Sequence, residues 1–432
     1  MEGSDEQTRN AADAVVRRSY GKLVALLAAR GGDLSAAEEA LSEAIVVALT
    51  TWPRQGCPQN PEAWLLTAAR RKLIDGIRQR RNGDAAAAHL AWLAEQAESL
   101  QQDADIPDHR LALLFACTHP AIDAAIRAPL MLQVVLGLDA ARIGSAFLVS
   151  PATMGQRLSR AKNKIRDAGI PIQVPEEALL PERTAAVLDA IYAAFTEGWS
   201  DPGCSPIGGD VVRRDLVDEA VFLGRLLIAL LPQDPEARGL LALILHAEAR
   251  RSARRTPTGD YVPLAAQNPA DWNEPMIAEA ESLLHEASKC GVVGRFQLEA
   301  ALQSAHVHRR RTGQANWPAV VVLYDALLAL TESPVVAINR ALAVAETQGP
   351  AAALAVTEGL TGDPRLTEYQ PFWVARAELL ARTGRNQEAY AAFEMAIGLE
   401  RDPAVRRFLQ GRQQALKEVS GGPVRAAHRL PR

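Results

Sequence analysis

Apolar residues recur at intervals of three and four along almost the whole chain. The stretch ALAVAETQGPAAALAVTEGL, residues 341–360, is typical, with Ala and Leu at helical spacing and no alternating run of β-branched residues. This period predicts amphipathic helices, whereas strands would need a period of two. The pattern therefore predicts an all-α protein. Clusters of glycine, proline and polar residues divide the chain into four predicted blocks, at residues 1–81, 82–107 (a linker), 108–170 and 171–432.

The segment SPATMGQRLSRAKNKIRDA, residues 150–168, predicts a helix with one strongly basic side. Ser150 is a favourable N-cap, and Pro151 is tolerated at the first helical position because its missing N–H would have no partner there. Five cations and no acid lie between Arg157 and Arg166. The apolar stripe of this helix comprises Met154, Leu158, Ala161 and Ile165.

A shorter helix is predicted just upstream, in GLDAARIGSAFLV at residues 137–149. Two helices joined by a turn of about three or four residues, the second of them basic, fit a helix-turn-helix. On such a helix Thr and Gln contact base edges, Arg pairs with guanine and Lys holds phosphates. The alternative is the solvated face of an ordinary helical hairpin, and this segment alone leaves both interpretations open.

A second basic helix is predicted in NPEAWLLTAARRKLIDGIRQRR, residues 60–81, with Asn60 as its cap. Six cations and one acid lie within residues 70–81, a balance that suits a DNA phosphate backbone. Cations near the C-terminus of a helix are also favourable without any ligand, because they complement the helix dipole. Both interpretations stay open for this helix too.

Composition narrows the possible functions. The formal net charge is −4, so any contact with nucleic acid must come from local basic patches. The four cysteines contain no Cys-x-x-Cys pair, which fits a reducing cytoplasm and argues against a zinc site. We find no secretory signal, no apolar run long enough to span a membrane and no catalytic motif, so we expect a cytoplasmic protein that is not an enzyme and needs no cofactor or metal. The histidines expected to be structural are His119, His306 and His308.

Taken in order, these segments resemble the extracytoplasmic-function (ECF) sigma factors of bacterial RNA polymerase, in particular the subgroup with a C-terminal tetratricopeptide-like (TPR-like) extension. The resemblance rests on WPRQGCPQNPEAWLLTAARRKLID, LLFACTHPAI, AFLVSPATMGQRLSRAKNKIRDAGIPIQVP and TGDYVPLAAQNPADWN. It implies that residues 1–81 are sigma region two, which binds core polymerase and the −10 promoter element. Residues 108–170 would be region four, which reads the −35 element through a helix-turn-helix, and residues 171–432 a TPR-like domain that controls activity.

The resemblance also assigns residues to three surfaces. For the −35 element, it implies DNA contacts by Thr153, Gln156, Arg157, Arg160, Lys162 and Lys164. For the −10 element, it implies DNA contacts by Arg70, Arg71, Lys72, Arg78 and Arg81. The acidic helix DLSAAEEALSEAIVVAL, residues 33–49, would meet core polymerase through Asp33, Glu38, Glu39, Leu41 and Glu43. Acids in the first turns of a helix also complement its dipole without any partner, so this alternative stays open.

The C-terminal part contains a degenerate repeat. Residues 369–403, YQPFWVARAELLARTGRNQEAYAAFEMAIGLERDP, look like a tetratricopeptide repeat whose two helices are separated by the turn 383–385. Weaker helical pairs precede it at residues 294–333 and 334–366. The concave face of such an array commonly binds peptides or proteins, so we expect an intramolecular or protein partner.

The polar loop RRTPTGDYVPLAAQNPADWNEP, residues 254–275, interrupts this helical region. Loops of this length without secondary structure are usually functional or disordered. We expect a regulatory contact with the sigma core, polymerase or a signal ligand. The loop residues expected to make it are Asp260, Tyr261, Asp271 and Trp272.

Three functions compete at this stage. The preferred one is an alternative sigma factor that directs promoter-specific initiation. The second is a helix-turn-helix regulator with a TPR-like sensor that binds duplex DNA without polymerase. The third is a tetratricopeptide adaptor whose basic helices are merely solvated. The acidic helix at residues 33–49 discriminates among them, because only a sigma factor needs it.

Overall fold

The computed structural model describes residues 19–29, 33–80, 108–147, 149–199 and 209–420. Within these ranges the regular elements are helices, apart from an isolated antiparallel β-bridge between Arg255 and Tyr261. The prediction of an all-α fold is confirmed. None of the helices in the described ranges is both long and apolar enough to cross a membrane. The predicted linker, residues 82–107, lies outside the described residues.

The chain divides into two compact units. The first comprises residues 1–199 and 208–230, and the second comprises residues 200–207 and 231–432. The described helices of the first unit are α1 (residues 19–28), α2 (Leu34–Gln55), α3 (Pro61–Arg80), α4 (Arg110–Cys117), α5 (Ala124–Leu136), α6 (Ala140–Ala146), α7 (Pro151–Asp167), α8 (Leu180–Trp199) and α9 (Gly209–Leu230).

Side-chain caps explain where two of these helices begin. The Asp33 carboxylate accepts a hydrogen bond from the amide of Ala36 at 3.0 Å, which starts α2. The Ser150 hydroxyl accepts one from the amide of Thr153 at 3.3 Å, and Pro151 follows as the first residue of α7. The predicted start of the basic helix is therefore confirmed.

The first unit packs helices from both predicted DNA-binding blocks against each other. Helix α2 lies against α3 and also against α7. A Cβ atom at Gly21 of α1 would overlap the carbonyl oxygen of Val135 of α5, so the two backbones touch at a residue without a side chain. Gly137 ends α5 with a φ of 73°, and a Cβ there would lie 3.1 Å from the ring of Tyr20.

Helices α8 and α9 also belong to the first unit. Helix α8 packs on α4 and α5, and the side chain of Arg183 in α8 donates to the carbonyl of Phe115 in α4. Helix α9 packs on α6 and α8. The sequence groups residues 171–230 with the C-terminal domain instead, and that domain boundary stays a prediction.

The second unit is an array of helices in which chain neighbours pack together. Its described α-helices are α10 (Pro235–Glu248), α11 (Glu274–Ser288), α12 (Arg295–Thr312), α13 (Trp317–Thr331), α14 (Pro334–Thr347), α15 (Pro350–Gly359), α16 (Gln370–Arg382), α17 (Asn386–Leu399) and α18 (Pro403–Ser420). The three predicted pairs correspond to α12–α13, α14–α15 and α16–α17, and each pair is in contact.

The turn between α16 and α17 lies where the sequence places it. Gly384 has a φ of 78°, a left-handed conformation that favours glycine, and the amide of Arg385 donates to the carbonyl of Leu380 at 3.0 Å. The core shared by these two helices and their neighbours buries small residues beside one ring, as close helix crossing requires. Its buried members in these two helices include Ala377, Leu380, Ala389, Phe393 and Ala396.

Candidate polymerase and DNA interface

Helix α7 presents most of its predicted DNA-contacting residues to solvent. Of the six residues assigned to the −35 element, five are exposed and Lys162 is half-buried. The exposed residues are Thr153, Gln156, Arg157, Arg160 and Lys164. At about 100° per residue, Lys162 lies about half a turn around the helix from the other five. The five therefore share one face, and Lys162 faces the interior of the unit.

A groove runs along the exposed basic face. It lies between α7 and the start of α5 and has a volume of about 480 Å³. Arg157, Arg160 and Lys164 line one side, and Ile122 and Ile126 contribute apolar surface on the other. The acid Asp123 also lines the groove, but the three cations outweigh it, so this face carries a net positive charge in a chain of net negative charge.

Lys162 makes an ion pair with Glu38 of α2. Its Nζ atom lies 2.6 Å from Glu38 Oε2, and each side chain is only 11% exposed. Glu38 belongs to the predicted polymerase surface and Lys162 to the predicted DNA surface. The structure thus joins two residues that the sequence assigns to different partners.

Tyr20 of α1 completes the surroundings of the Glu38 carboxylate. The phenol hydrogen-bonds to Glu38, and burial together with the carboxylate charge raises the pKa of Tyr20 well above its ordinary value. Burial raises the pKa of Glu38 by more than Lys162 and Tyr20 lower it, so the net shift is upward. Burial also raises the pKa of the nearby Cys117 thiol, and the Glu38 charge adds to that shift. The carboxylate is therefore held in a site where its charge is only partly compensated.

The predicted −10 residues on α3 differ in their accessibility. Arg71 and Lys72 are exposed, but Arg70 is 4% exposed, and burial lowers its pKa to about 10. Among the described residues, Nε and Nη2 of Arg70 have no hydrogen-bond partner. Arg78 lies near the end of α3, where the structure does not describe its side chain, and Arg81 lies outside the described residues.

Lys72 forms a second ion pair between α2 and α3. Its Nζ atom lies 2.9 Å from Oε2 of Glu43, and both side chains are 51% exposed. The pair raises the pKa of Lys72, with the hydrogen bond to Glu43 as the largest cause. Water screens an exposed pair of this kind, so it is a weak restraint that a partner could displace at little cost.

The exposed face of α2 differs from the one that the sequence indicates. Leu41 is fully buried and Asp33 caps the helix, whereas Glu39 and Glu43 are exposed. Three apolar residues accompany these acids at the surface, Val46 at 60%, Val47 at 42% and Leu49 at 39% exposure. Val46 was not predicted as a surface residue because it lies off the apolar stripe of α2. An apolar residue at a helical position that faces solvent is the signal that could have identified it. A face that combines exposed valine and leucine with acids suits a protein partner.

In the second unit, the loop at residues 254–275 is folded against helices. Trp272 is 6% exposed and packs with Ala249, Ile277 and Val307. The Tyr261 ring meets the Phe408 ring edge-on, with centroids 5.5 Å apart. These contacts describe where the predicted regulatory residues lie, and their regulatory role stays a prediction.

Charged contacts also connect this loop to α18, the last of the described helices. Asp260 lies 3.1 Å from Arg407, and Arg255 pairs with Asp402, the residue before α18. Asp271 accepts a hydrogen bond from the Ser252 hydroxyl through its backbone carbonyl at 3.1 Å. Within the described residues, no group of three His, Cys, Asp or Glu side chains is placed to hold a metal ion.

Comparison with known proteins shows which family this chain belongs to. Residues 15–83, which include α1 to α3, match sigma-70 region 2, and residues 183–288 match a family of unknown function, DUF6596. An uncharacterized protein of Rhizobium meliloti (strain 1021) is 40% identical over 372 residues, which cover 85% of this chain and 86% of that protein. The chain belongs to that protein's family. No solved structure matches it.

The match to sigma-70 region 2 supports a role like that of a sigma factor, in which this protein acts together with RNA polymerase and promoter DNA. The matched range contains both the exposed acidic and apolar face of α2 and the basic helix α3. The DUF6596 match runs from α8 to α11 and includes the folded loop at residues 254–275. Sigma-70 proteins are initiation factors rather than enzymes, and neither match indicates a catalytic family.

Proposed function

We propose that this protein is an ECF-type alternative sigma factor that binds core RNA polymerase and directs promoter-specific initiation, with its C-terminal TPR-like domain controlling that activity. The observation that carries the proposal is the sigma-70 region 2 match over residues 15–83. The exposed basic face of α7 supports it, because a sigma factor needs a second DNA-reading element besides region two. The protein would act in the cytoplasm, where polymerase and promoter DNA are found.

Polymerase binding would use the exposed face of α2. Glu39 and Glu43 supply negative charge, and Val46 and Leu49 supply apolar area that is otherwise left in water. Association gains from burying that area, while the acids favour a basic partner surface and fix the orientation. Glu43 would exchange its exposed pair with Lys72 for a contact to polymerase.

Promoter recognition would use α7 at the −35 element and α3 at the −10 element. Arg157 and Arg160 project from the exposed face at the spacing of one helical turn and can reach guanine edges in the major groove. Thr153 and Gln156 offer further base contacts nearer the helix start, and Lys164 a phosphate contact. On α3, Arg71 and Lys72 are the exposed cations whose positions suit the backbone of the −10 element.

Control by the second unit would pass through its helical array. The loop residues Asp260 and Tyr261 contact α18, so a partner bound at α18 would act on this loop directly. The occupant of the array is either another segment of this chain or a separate protein. The DUF6596 match includes this loop and leaves its function open.

Run-off transcription with purified core polymerase on a promoter library tests the proposal. On promoters that respond to the full chain, the double change Arg157→Ala with Arg160→Ala should lower transcript yield by about 30-fold or more, because each guanine contact contributes about 1–3 kcal/mol. The matched control is Arg365→Ala, which removes an exposed arginine paired with Asp363 in the second unit and should leave the yield unchanged.

The outcomes separate the competing functions. Duplex binding without a transcript and without a polymerase complex would support a helix-turn-helix regulator instead. Neither DNA binding nor a polymerase complex would leave a TPR-like adaptor with solvated basic helices. Equal yields for the Arg157 and Arg160 double variant and for the Arg365 control would contradict the assignment of α7 as the −35 reader.

A further inference from the structure

We infer that the exposed face of α13 is a self-association surface, on which a second copy of this chain packs with its own α13 antiparallel to the first. The inference concerns the second unit, goes beyond the function proposed above and does not depend on it. Three features of the structure carry it. They are an apolar outer face on α13, a groove beside the first half of that helix, and a projecting leucine on its second half.

The exposed face of α13 is almost wholly apolar. Its apolar members are Pro318, Ala319, Val322, Ala326, Ala329 and Leu330. Val322 is 65% and Leu330 57% exposed, although either side chain would gain free energy from burial. The exposed residue of this helix that carries a charge, Asp325, forms an ion pair with Arg340 of α14. An exposed apolar face of this length, with its one charge compensated inside the chain, marks an interaction surface.

A groove between α12 and α13 borders this face along the first half of α13. It has a volume of about 300 Å³, which is larger than one leucine side chain. Its apolar lining comprises Ala301, Ala305, Ala319, Val320 and Leu323. The Ser304 hydroxyl also lines the groove, and it already donates to the Glu281 carboxylate at 3.0 Å. Covering the groove with an apolar side chain therefore leaves this polar group satisfied.

Leu330 projects on the same side of α13 as the groove. At about 100° per residue, its direction around the helix lies within about 20° of those of Ala319 and Leu323. The groove lies before Ala326 in the chain and Leu330 lies after it, at similar distances along the helix axis. A two-fold axis near Ala326 therefore places Leu330 of each copy in the groove of the other.

Such an interface is isologous, because the same patch of each copy supplies both halves of the contact. The small side chain of Ala326 at the axis lets the two helices approach closely, as packed helices with axes about 8–10 Å apart require. This self-complementarity is the reason to assign the face to a second copy rather than to an unrelated protein.

Polar groups at the two ends of α13 match in the same arrangement. Glu332 follows α13 as an exposed residue with a φ of 48°, a left-handed conformation for which glycine is usual. The polar rim of the groove comprises His308, Gln314 and Asn316. Antiparallel pairing brings the end of one α13 to the start of the other, so the Glu332 carboxylate meets side chains that can donate hydrogen bonds to it. Complementary polar groups of this kind fix the register of the two copies.

The size of the face sets the strength of the contact. Helix α13 has 15 residues and is about 22 Å long. An interface centred on one helix of that length falls at the low end for protein–protein contacts, below about 1,200 Å² in total. We therefore expect a dimer that forms at high protein concentration and dissociates on dilution.

Disulfide trapping in the full chain tests the position of the two-fold axis. Ala326→Cys is introduced after Cys57, Cys204 and Cys290 are changed to Ser. A residue beside the axis meets its own copy, and two cysteines can be bridged only when their Cα atoms lie within about 7 Å. Under mild oxidation Ala326→Cys should form the covalent dimer at least about tenfold faster than Ala355→Cys, which places the thiol at an exposed alanine of α15.

Sedimentation equilibrium of variants with the native cysteines tests the packing of Leu330 in the groove. Leu330→Ala removes the inserted side chain, and Ala305→Leu fills the groove that receives it, so each should weaken dimerisation at least about tenfold. Combining the two changes moves the same bulk from one side of the contact to the other and should recover most of the lost affinity. Misfolding of either single variant could not produce that recovery. The control Met395→Ala truncates an exposed methionine of α17 and should leave dimerisation unchanged.

Each outcome decides the inference. Rapid cross-linking at residue 326, loss of the dimer in both single variants and its recovery in the double variant support self-association through α13. Equal cross-linking rates at residues 326 and 355, or a dimer that survives Leu330→Ala, overturn it. A monomeric chain in which Leu330→Ala abolishes binding to purified core polymerase also overturns it, because the face then belongs to polymerase. A monomer that still directs promoter-specific transcription overturns the dimer alone and leaves the proposed function standing.

Discussion

The two units each contain an ion pair that joins distant parts of the chain, and the two pairs differ in what they contribute. Glu38–Lys162 connects α2 to α7 across 124 residues in the first unit. Arg255–Asp402 connects the loop after α10 to the start of α18 across 147 residues in the second. Both pairs are largely buried, with the Asp402 side chain 9% and the Arg255 side chain 22% exposed.

The pKa of the carboxyl group is shifted in opposite directions in the two pairs. Burial raises the pKa of Glu38, and its partners do not offset that cost. Burial also acts to raise the pKa of Asp402, but Arg255 and the amides of Ala404 and Val405 together hold it below its ordinary value. The reason is position: Asp402 precedes a helix and receives its free amides, whereas Glu38 lies within α2, where the amides are already paired.

This difference implies different contributions from the two contacts. A carboxylate that is better stabilised in the fold than in water adds to the free energy of unfolding. A carboxylate that is worse stabilised in the fold adds less. The edge-on contact between Tyr261 and Phe408 reinforces the first kind of contact, in the second unit.

The largest expected effect comes from breaking the contact between Arg255 and Asp402. Asp402→Ala removes the partner of the largely buried Arg255 and the cap of α18, and should lower the free energy of unfolding of the second unit by about 4 kcal/mol. Hydrogen exchange of the α18 amides in denaturant measures the loss. Asp402→Asn keeps a capping oxygen and should lose about 1 kcal/mol less. A loss below about 1 kcal/mol for Asp402→Ala would contradict the stabilising role of this pair.

Acidification should weaken the second unit through a buried histidine, by about 3 kcal/mol. His246 is fully buried, and burial with the charges of Arg250 and Arg311 lowers its pKa to about 4. Glu281 lies 3.5 Å away but is 45% exposed, so water screens its charge. The unfolded chain, with a pKa of about 6.5 for this residue, binds the proton more tightly, so stability is present above about pH 6.5 and falls as the pH is lowered towards 4.

Unfolding of the wild type and His246→Gln at pH 7 and pH 4 measures this contribution. The wild type should lose about 3 kcal/mol more than the variant between these two values. Equal losses in the two proteins would show that His246 does not bind the additional proton on unfolding. His306, predicted from the sequence to be structural, has its pKa lowered to about 4 by burial first and by Arg309 and Arg250 next, so it adds to the same trend.

The smallest effect should come from the exposed pair in the first unit. Glu43→Gln removes the charge opposite Lys72, where both side chains are 51% exposed. Water screens exposed pairs of this kind, so the free energy of unfolding of the first unit should match that of the wild type within the error of the measurement. Denaturant unfolding of both proteins in low and high salt checks this. A clear loss that persists in high salt would contradict the weak role assigned to this exposed pair.

The local structure of α7 and of the turn before α17 could be predicted from sequence because neighbouring residues determine both. The Ser150–Pro151 start, the apolar stripe of α7 and the glycine turn at residue 384 all depend on interactions within a few residues. The all-α fold follows from the same short-range periodicity.

The pairing of Glu38 with Lys162 could not be predicted in this way, because the partners are 124 residues apart. Two signals were nevertheless present. Glu38 lies on the buried stripe of α2 between Leu34 and Leu41, and Lys162 lies opposite the basic face of α7. Burial of Trp272 was equally out of reach, since the residues that pack around it, Ala249, Ile277 and Val307, come from three separate segments of the chain.

Run-off transcription by core polymerase with and without the full chain tests the central claim, initiation of sigma-factor type, most directly. The region 2 match and the exposed faces of α2 and α7 predict transcripts from a specific subset of promoters that appear only when the protein is added. The account would be contradicted if no promoter gave a transcript that depends on the protein and the protein formed no complex with core polymerase.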